Sequence, residues 1–101
     1  MIEKTERQQR YLHLTNEVMP EMAKKQHWSV HFNHCFQRII LDTLFEDCWY
    51  RHLDRSRRTP AYRQLTEAQL DQAIAIGERM LASSEEVKRL NQQSLAYRGK
   101  L

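Results

Sequence analysis

The sequence predicts an all-α fold, and three observations carry that prediction. Only two glycines and two prolines occur in 101 residues, so few residues are available to punctuate turns and strands. The polar stretches are rich in Glu, Gln, Lys, Arg, Leu and Ala, which favour helix. Apolar residues recur at spacings of three and four, while strand-like alternation is nearly absent. The length suits one domain around one hydrophobic core. An apolar fraction of 41% and a charged fraction of 29% are those of an ordinary soluble globular chain.

Taken in order, "TERQQRYLHLTNEVMPEMAKKQ" reads as a first helix, with Thr5 as N-cap and Tyr11, Leu14, Val18 and Met22 on its apolar face. Pro20 removes a backbone hydrogen bond and predicts a kink or restart near residue 19. "HWSVHF" is a short extended connector, in which Trp28, Val30 and Phe32 alternate with polar residues. Asn33 then caps a second helix over residues 34–54. Its large apolar side chains lie nearly all round the helix, which predicts a buried central member wrapped by the others. "RSRRTPAYRQL" is the longest irregular connector. Thr66 with Gln69 forms a capping box for a third helix over 66–82, with Gly77 marking a close crossing. Ser83 with Glu86 forms a second box and opens a fourth helix to residue 97, and Gly99 stops it. The expected architecture is a compact four-helix bundle, its first helix kinked.

Several classes are excluded on the same basis. No run of about 18 apolar residues exists to span a bilayer. "MIEKTERQQRY" lacks the apolar core of a secretory signal, so a cytoplasmic location is expected. Cys35 and Cys48 fit that compartment as free thiols. On one continuous helix they would stand about 20 Å apart, beyond the reach of a disulfide. The net charge of +3 is compatible with acidic partners but does not require them.

The chemistry-bearing pattern lies on the predicted central helix. His34, Arg38 and Asp42 follow at four-residue spacing and share a face with Phe45 and Trp49. A charge inside an apolar helix must be paired or reach water. One reading is a structural Arg38–Asp42 ion pair. The other is a pocket in which Arg38 grips a carboxylate or phosphate through its planar fork, Asp42 orients it, and His34 moves a proton. Trp49 and Tyr62 would close that site. His34 is the one catalytic candidate; Cys35 beside it points about 100° away, poor geometry for a Cys–His pair. His27, His31, His34 and Cys35, with Cys48 and His52 further on, match no established zinc pattern, and neither metal nor cofactor is expected. Arg51, Arg55, Arg57, Arg58 and Arg63 form a basic segment, read either as a solvated loop or as a non-specific phosphate-backbone contact through Arg55, Arg57 and Arg58. The acidic "MLASSEEV" between the last helices argues against a sequence-specific DNA reader.

"NHCFQRIILD", "CWYRHL" and "PAYRQLT" together resemble a family of small bacterial proteins of about this length. The matching positions are Asn33, His34, Cys35, Arg38, Asp42, Trp49, Pro60, Ala61 and Tyr62. Some members of that family carry an N-acetyltransferase label, which would imply acyl transfer; the residues themselves offer the alternative of a small enzyme with His34 as acid/base and Arg38 holding an anionic substrate. The acetyl-CoA-binding fold of that superfamily is mixed α/β, with a glycine-rich turn at the pyrophosphate. This chain has only Gly77 and Gly99 and no such turn. The leading expectation is therefore a helical module that binds a small anionic ligand or a protein partner, with a second copy of the chain as one candidate.

Overall fold

The structure is a computed structural model that describes residues 4–54 and 59–100. It is all-α, with no strand among the described residues. The first helix is one rod in three parts: α1 (Lys4–His13), a π turn (Leu14–Val18) and α2 (Met19–Gln26). Thr5 lies inside α1 rather than capping it. The expected restart at residue 19 has a physical cause. Pro20 has no N–H to give and its ring would crowd the carbonyl one turn back. The register slips by one residue just before it, so that Met19 N–H reaches back five residues to the Leu14 carbonyl. Pro20 then falls in the first turn of α2, where a missing donor costs nothing.

The rod ends at His27, in the left-handed conformation at φ 56°. Trp28 turns inward, packs edge-to-face on Phe36 at 6.0 Å, and donates through Nε1 to Ser84 Oγ at 2.8 Å. The buried α3 (Asn33–Phe45) follows. Phe32, not Asn33, occupies its cap position; the Asn33 side chain accepts from His34 N–H and donates to Asn16 Oδ1 on the π turn.

The expected helix over 34–54 is corrected here, because α3 stops at Phe45. Glu46 adopts the left-handed conformation at φ 53°, and Asp47 N–H closes back on the Asp42 carbonyl at 3.1 Å. This is the Schellman geometry that a glycine normally enables. A glutamate there costs roughly 1–2 kcal/mol of backbone strain, so the loop beyond has to hold it. A 3₁₀ turn (Trp49–Arg51) follows, then the one-turn α4 (Ala61–Gln64), α5 (Glu67–Ala82) and α6 (Ser84–Tyr97). The Thr66–Gln69 capping box is complete. Ser83 accepts from Glu86 N–H, half of the expected reciprocal box. Gly99, at φ 70°, ends α6, with Lys100 N–H on the Leu95 carbonyl at 2.8 Å.

α3 is central, packed against α5 and α6, while α1 lies along α5. Phe36, Ile39, Ile40, Leu70, Met80 and Leu90 are among the residues that fill the core. Arg7 ties the outer helix to α5 through Glu67 and Asp71, at 3.2 and 2.9 Å. Gly77 lies where α5 meets the π turn: a Cβ there would run into the side chain of Leu14 and touch Ile40. Among the described residues no helix is long and apolar enough to cross a membrane.

Candidate functional site

Asp42 is fully buried on α3, yet its carboxylate is not paired with Arg38. It accepts from Trp49 N–H at 2.9 Å, Ser94 Oγ at 2.6 Å, Arg98 Nε at 2.8 Å and Arg98 Nη2 at 3.2 Å. The predicted structural pair is therefore corrected: the counter-ion is Arg98, on the turn after α6. In an i, i+4 pair the two side chains must bend toward each other along one helix surface. Here α6 brings a guanidinium across to meet the carboxylate. Burial alone would lower the Arg98 pKa; the hydrogen bonds it makes to Asp42 and Tyr50, with the Asp42 charge, hold it above its ordinary value. The same guanidinium lies 4.6 Å over the Tyr50 ring.

Arg38 is held differently. Nη1 donates to Ser94 Oγ at 2.7 Å and Nη2 to Asn91 Oδ1 at 2.8 Å. Both partners are neutral, and among the described residues no carboxylate pairs with this arginine. Ser94 is the bridge, since its oxygen accepts from Arg38 while its hydroxyl donates to Asp42. The buried cluster thus contains one carboxylate and two guanidinium groups, and Arg98 takes the carboxylate.

Arg38 faces a cleft of about 400 Å³, lined also by His34, Gln37 and Leu41 from α3, Trp49 and Tyr50 from the 3₁₀ turn, and Asp54, Thr59, Pro60 and Ala61. Of the predicted site residues, His34, Arg38 and Trp49 meet in this cleft. Asp42 lies behind its wall and acts through Ser94 and Trp49 N–H. Tyr62 does not join them. It lines another cleft, of about 550 Å³, beside α1 with Lys4, Gln8 and Arg63. That cleft is larger, but none of its lining residues is buried. His34 is exposed, its ring stacked at 5.6 Å on Phe32, and neither cysteine lines the cleft with it.

The outer wall is the chain after Glu46, and Asp47 organises it. Its carboxylate accepts from Cys48 N–H and Arg51 Nη1, both at 2.8 Å, and lies 3.2 Å from His52 Nε2. The His52 ring stacks on Phe45 at 4.8 Å. Slight desolvation would raise the Asp47 pKa, but the Cys48 and His52 hydrogen bonds and the Arg51 and His52 charges hold it below the usual value. A carboxylate lowered in this way stabilises the fold above its unfolded pKa of about 3.9, and that contribution is lost as pH falls through the lower folded value. Asp47→Asn should therefore be less stable than wild type at pH 7, with the gap closing as pH falls below the ordinary carboxylate range. Denaturant unfolding at several pH values checks this; a gap independent of pH would mean the charge does not hold the turn.

Gln64 completes the wall. Its side chain accepts from Asp54 N–H at 2.7 Å and donates to the Asp54 and Thr59 carbonyls at 2.7 and 3.0 Å. It so fastens both ends of the arginine segment. Arg55, Arg57 and Arg58 themselves lie outside the described residues, as does any contact they make with nucleic acid. Of the flanking arginines, Arg51 is spent on Asp47, and Arg63 lies 6.0 Å over Tyr62.

Sequence reasoning missed Asn91, Ser94 and Arg98, although a signal was present. Val87, Leu90 and Tyr97 mark an apolar stripe at helical spacing, and Ser94 occupies the slot between them. A serine in a core slot needs a buried partner. Asn91 and Arg98 stand three residues before it and four after, on the same face. No protein-family model matches the chain, and neither a curated protein nor a solved structure matches it.

Proposed function

We propose that the cleft on α3 binds a small anionic ligand and that Arg38 is its anchor. The observation that carries this reading is the unequal fate of the two half-buried arginines. Arg98 is neutralised by Asp42, whereas Arg38 is held by a hydroxyl and an amide oxygen that fix its direction without cancelling its charge. A guanidinium that is pre-oriented and half removed from water offers a planar fork to a carboxylate or phosphate at little further ordering cost. The cleft volume of about 400 Å³ lies within the range of small-molecule sites. Trp49 and Leu41 supply apolar walls that exclude water from the contact, and His34 stands at the mouth, where it adds a donor or an acceptor.

A thermal-shift series of the wild-type chain against metabolite anions, acyl-CoA thioesters, divalent metals and short nucleic acids tests the reading. An anion at 100 times its Kd should stabilise the fold by about 2.7 kcal/mol, a rise in Tm on the order of 10 °C or more. Arg38→Gln should abolish that rise while keeping its helical circular dichroism. If no anion raises the wild-type Tm, or if Arg38→Gln responds equally, the cleft is not the site.

A further inference from the structure

We infer that the ligand is a carboxylate with an apolar body, a small monoanion and not a phosphate. This rests on the anion reading above and narrows it. Charge is the first argument. Arg38 is the only lysine or arginine among the described lining residues. A monoanion balances its charge. A phosphate dianion would bring a second negative charge, and the neighbouring guanidinium of Arg98 is already paired with Asp42.

Donor geometry is the second argument. An arginine has five N–H donors, of which two are used on Ser94 and Asn91, leaving three for a ligand. That suits two parallel bonds to a planar carboxylate. A phosphate is normally met by several cations or by a row of backbone N–H groups. No second lysine or arginine stands among the described lining residues.

The remainder of the lining fixes the other end of the ligand. Leu41, Trp49, Pro60 and Ala61 form the apolar part of the cleft. At roughly 30 Å³ per water-sized group, about 400 Å³ holds on the order of a dozen such groups. Acetate would leave most of that surface wet. An aryl-alkanoate or a medium-chain alkanoate would cover it.

The test titrates the full chain with 3-phenylpropionate, hexanoate, indole-3-acetate, acetate, inorganic phosphate and the uncharged 3-phenylpropionamide, followed by calorimetry and by backbone amide NMR shifts. The variants are Arg38→Gln and the triple Arg55→Ala/Arg57→Ala/Arg58→Ala. At least one apolar carboxylate should bind ten-fold or more tighter than acetate, phosphate and the amide, shifting amides of α3 and the 49–50 turn. Arg38→Gln should lose that binding, and the triple variant should keep it within two-fold. Phosphate binding tighter than every carboxylate, still through Arg38, would overturn the carboxylate inference and leave the anion reading standing. Loss of binding in the triple variant would place the charge on residues 55–58 and overturn the inference. Absence of any Arg38-dependent binding would overturn both.

Discussion

Asp42→Ala is expected to be the most damaging single substitution in the polar cluster, costing about 3–5 kcal/mol. The carboxylate is fully buried and accepts four hydrogen bonds. Its removal strands the Arg98 guanidinium, whose side chain is only 13% exposed, without a counter-charge. It also frees Trp49 N–H and leaves the Ser94 hydroxyl to find another acceptor. A chain of this size loses about 4–8 °C in Tm per kcal/mol, so the variant should melt well over 10 °C below wild type. Because Trp49 N–H bonds directly to the Asp42 carboxylate, hydrogen exchange at that amide should rise toward the rate of an open loop. A drop under about 1 kcal/mol would mean that the carboxylate is not the hub of the cluster.

The second large effect separates two arginines that composition cannot tell apart. Arg98→Ala leaves Asp42 buried with only Ser94 and Trp49 N–H as donors, and it removes the guanidinium from the face of Tyr50. The expected cost is about 3 kcal/mol, the lower end for a broken buried pair. Arg38→Ala loses two hydrogen bonds to neutral groups. Ser94 continues to donate to Asp42, and Asn91 is half-buried and within reach of water. The expected cost is about 1 kcal/mol, typical of a surface-accessible hydrogen-bonded side chain. Urea unfolding of the two variants decides between these roles. If Arg38→Ala is the more destabilised, Arg38 belongs to the fold and not to a ligand.

Much of the fold is legible in the sequence because its signals are local. The Thr66–Gln69 box, the glycine stop after Tyr97 and the proline at the head of α2 each act within one helical turn, and each appears where its residues stand. The end of α3 is not legible, because the stop is a left-handed glutamate held by distant packing and by the Asp47 cluster instead of a glycine. That one residue carried the expected helix nine positions too far, to 54 instead of 45. It also placed Trp49 on the α3 face, although the tryptophan reaches the cleft by a different route, on the 3₁₀ turn. The cluster was half legible. The spacing of His34, Arg38 and Asp42 alone marks a polar face. The partners of Arg38 and Asp42, namely Asn91, Ser94 and Arg98, lie 52 to 56 residues away, a distance at which no helical period carries information. Tyr62, expected from the connector to close the site, instead lines the cleft beside α1, while its neighbours Pro60 and Ala61 line the α3 cleft.

Asp42 is neutralised by Arg98, which leaves the charge of Arg38 to the cleft. Double-mutant cycles measure it without any ligand: stabilities of Asp42→Asn, Arg98→Met and Arg38→Met, and of the two Asp42 doubles, at pH 7 and moderate salt. The account predicts a coupling of about 2 kcal/mol or more between Asp42 and Arg98, and less than about 1 kcal/mol between Asp42 and Arg38, transmitted only through Ser94. An Asp42–Arg38 coupling equal to or larger than the Asp42–Arg98 coupling would contradict it, because Arg38 would then be a structural counter-ion with no charge to offer.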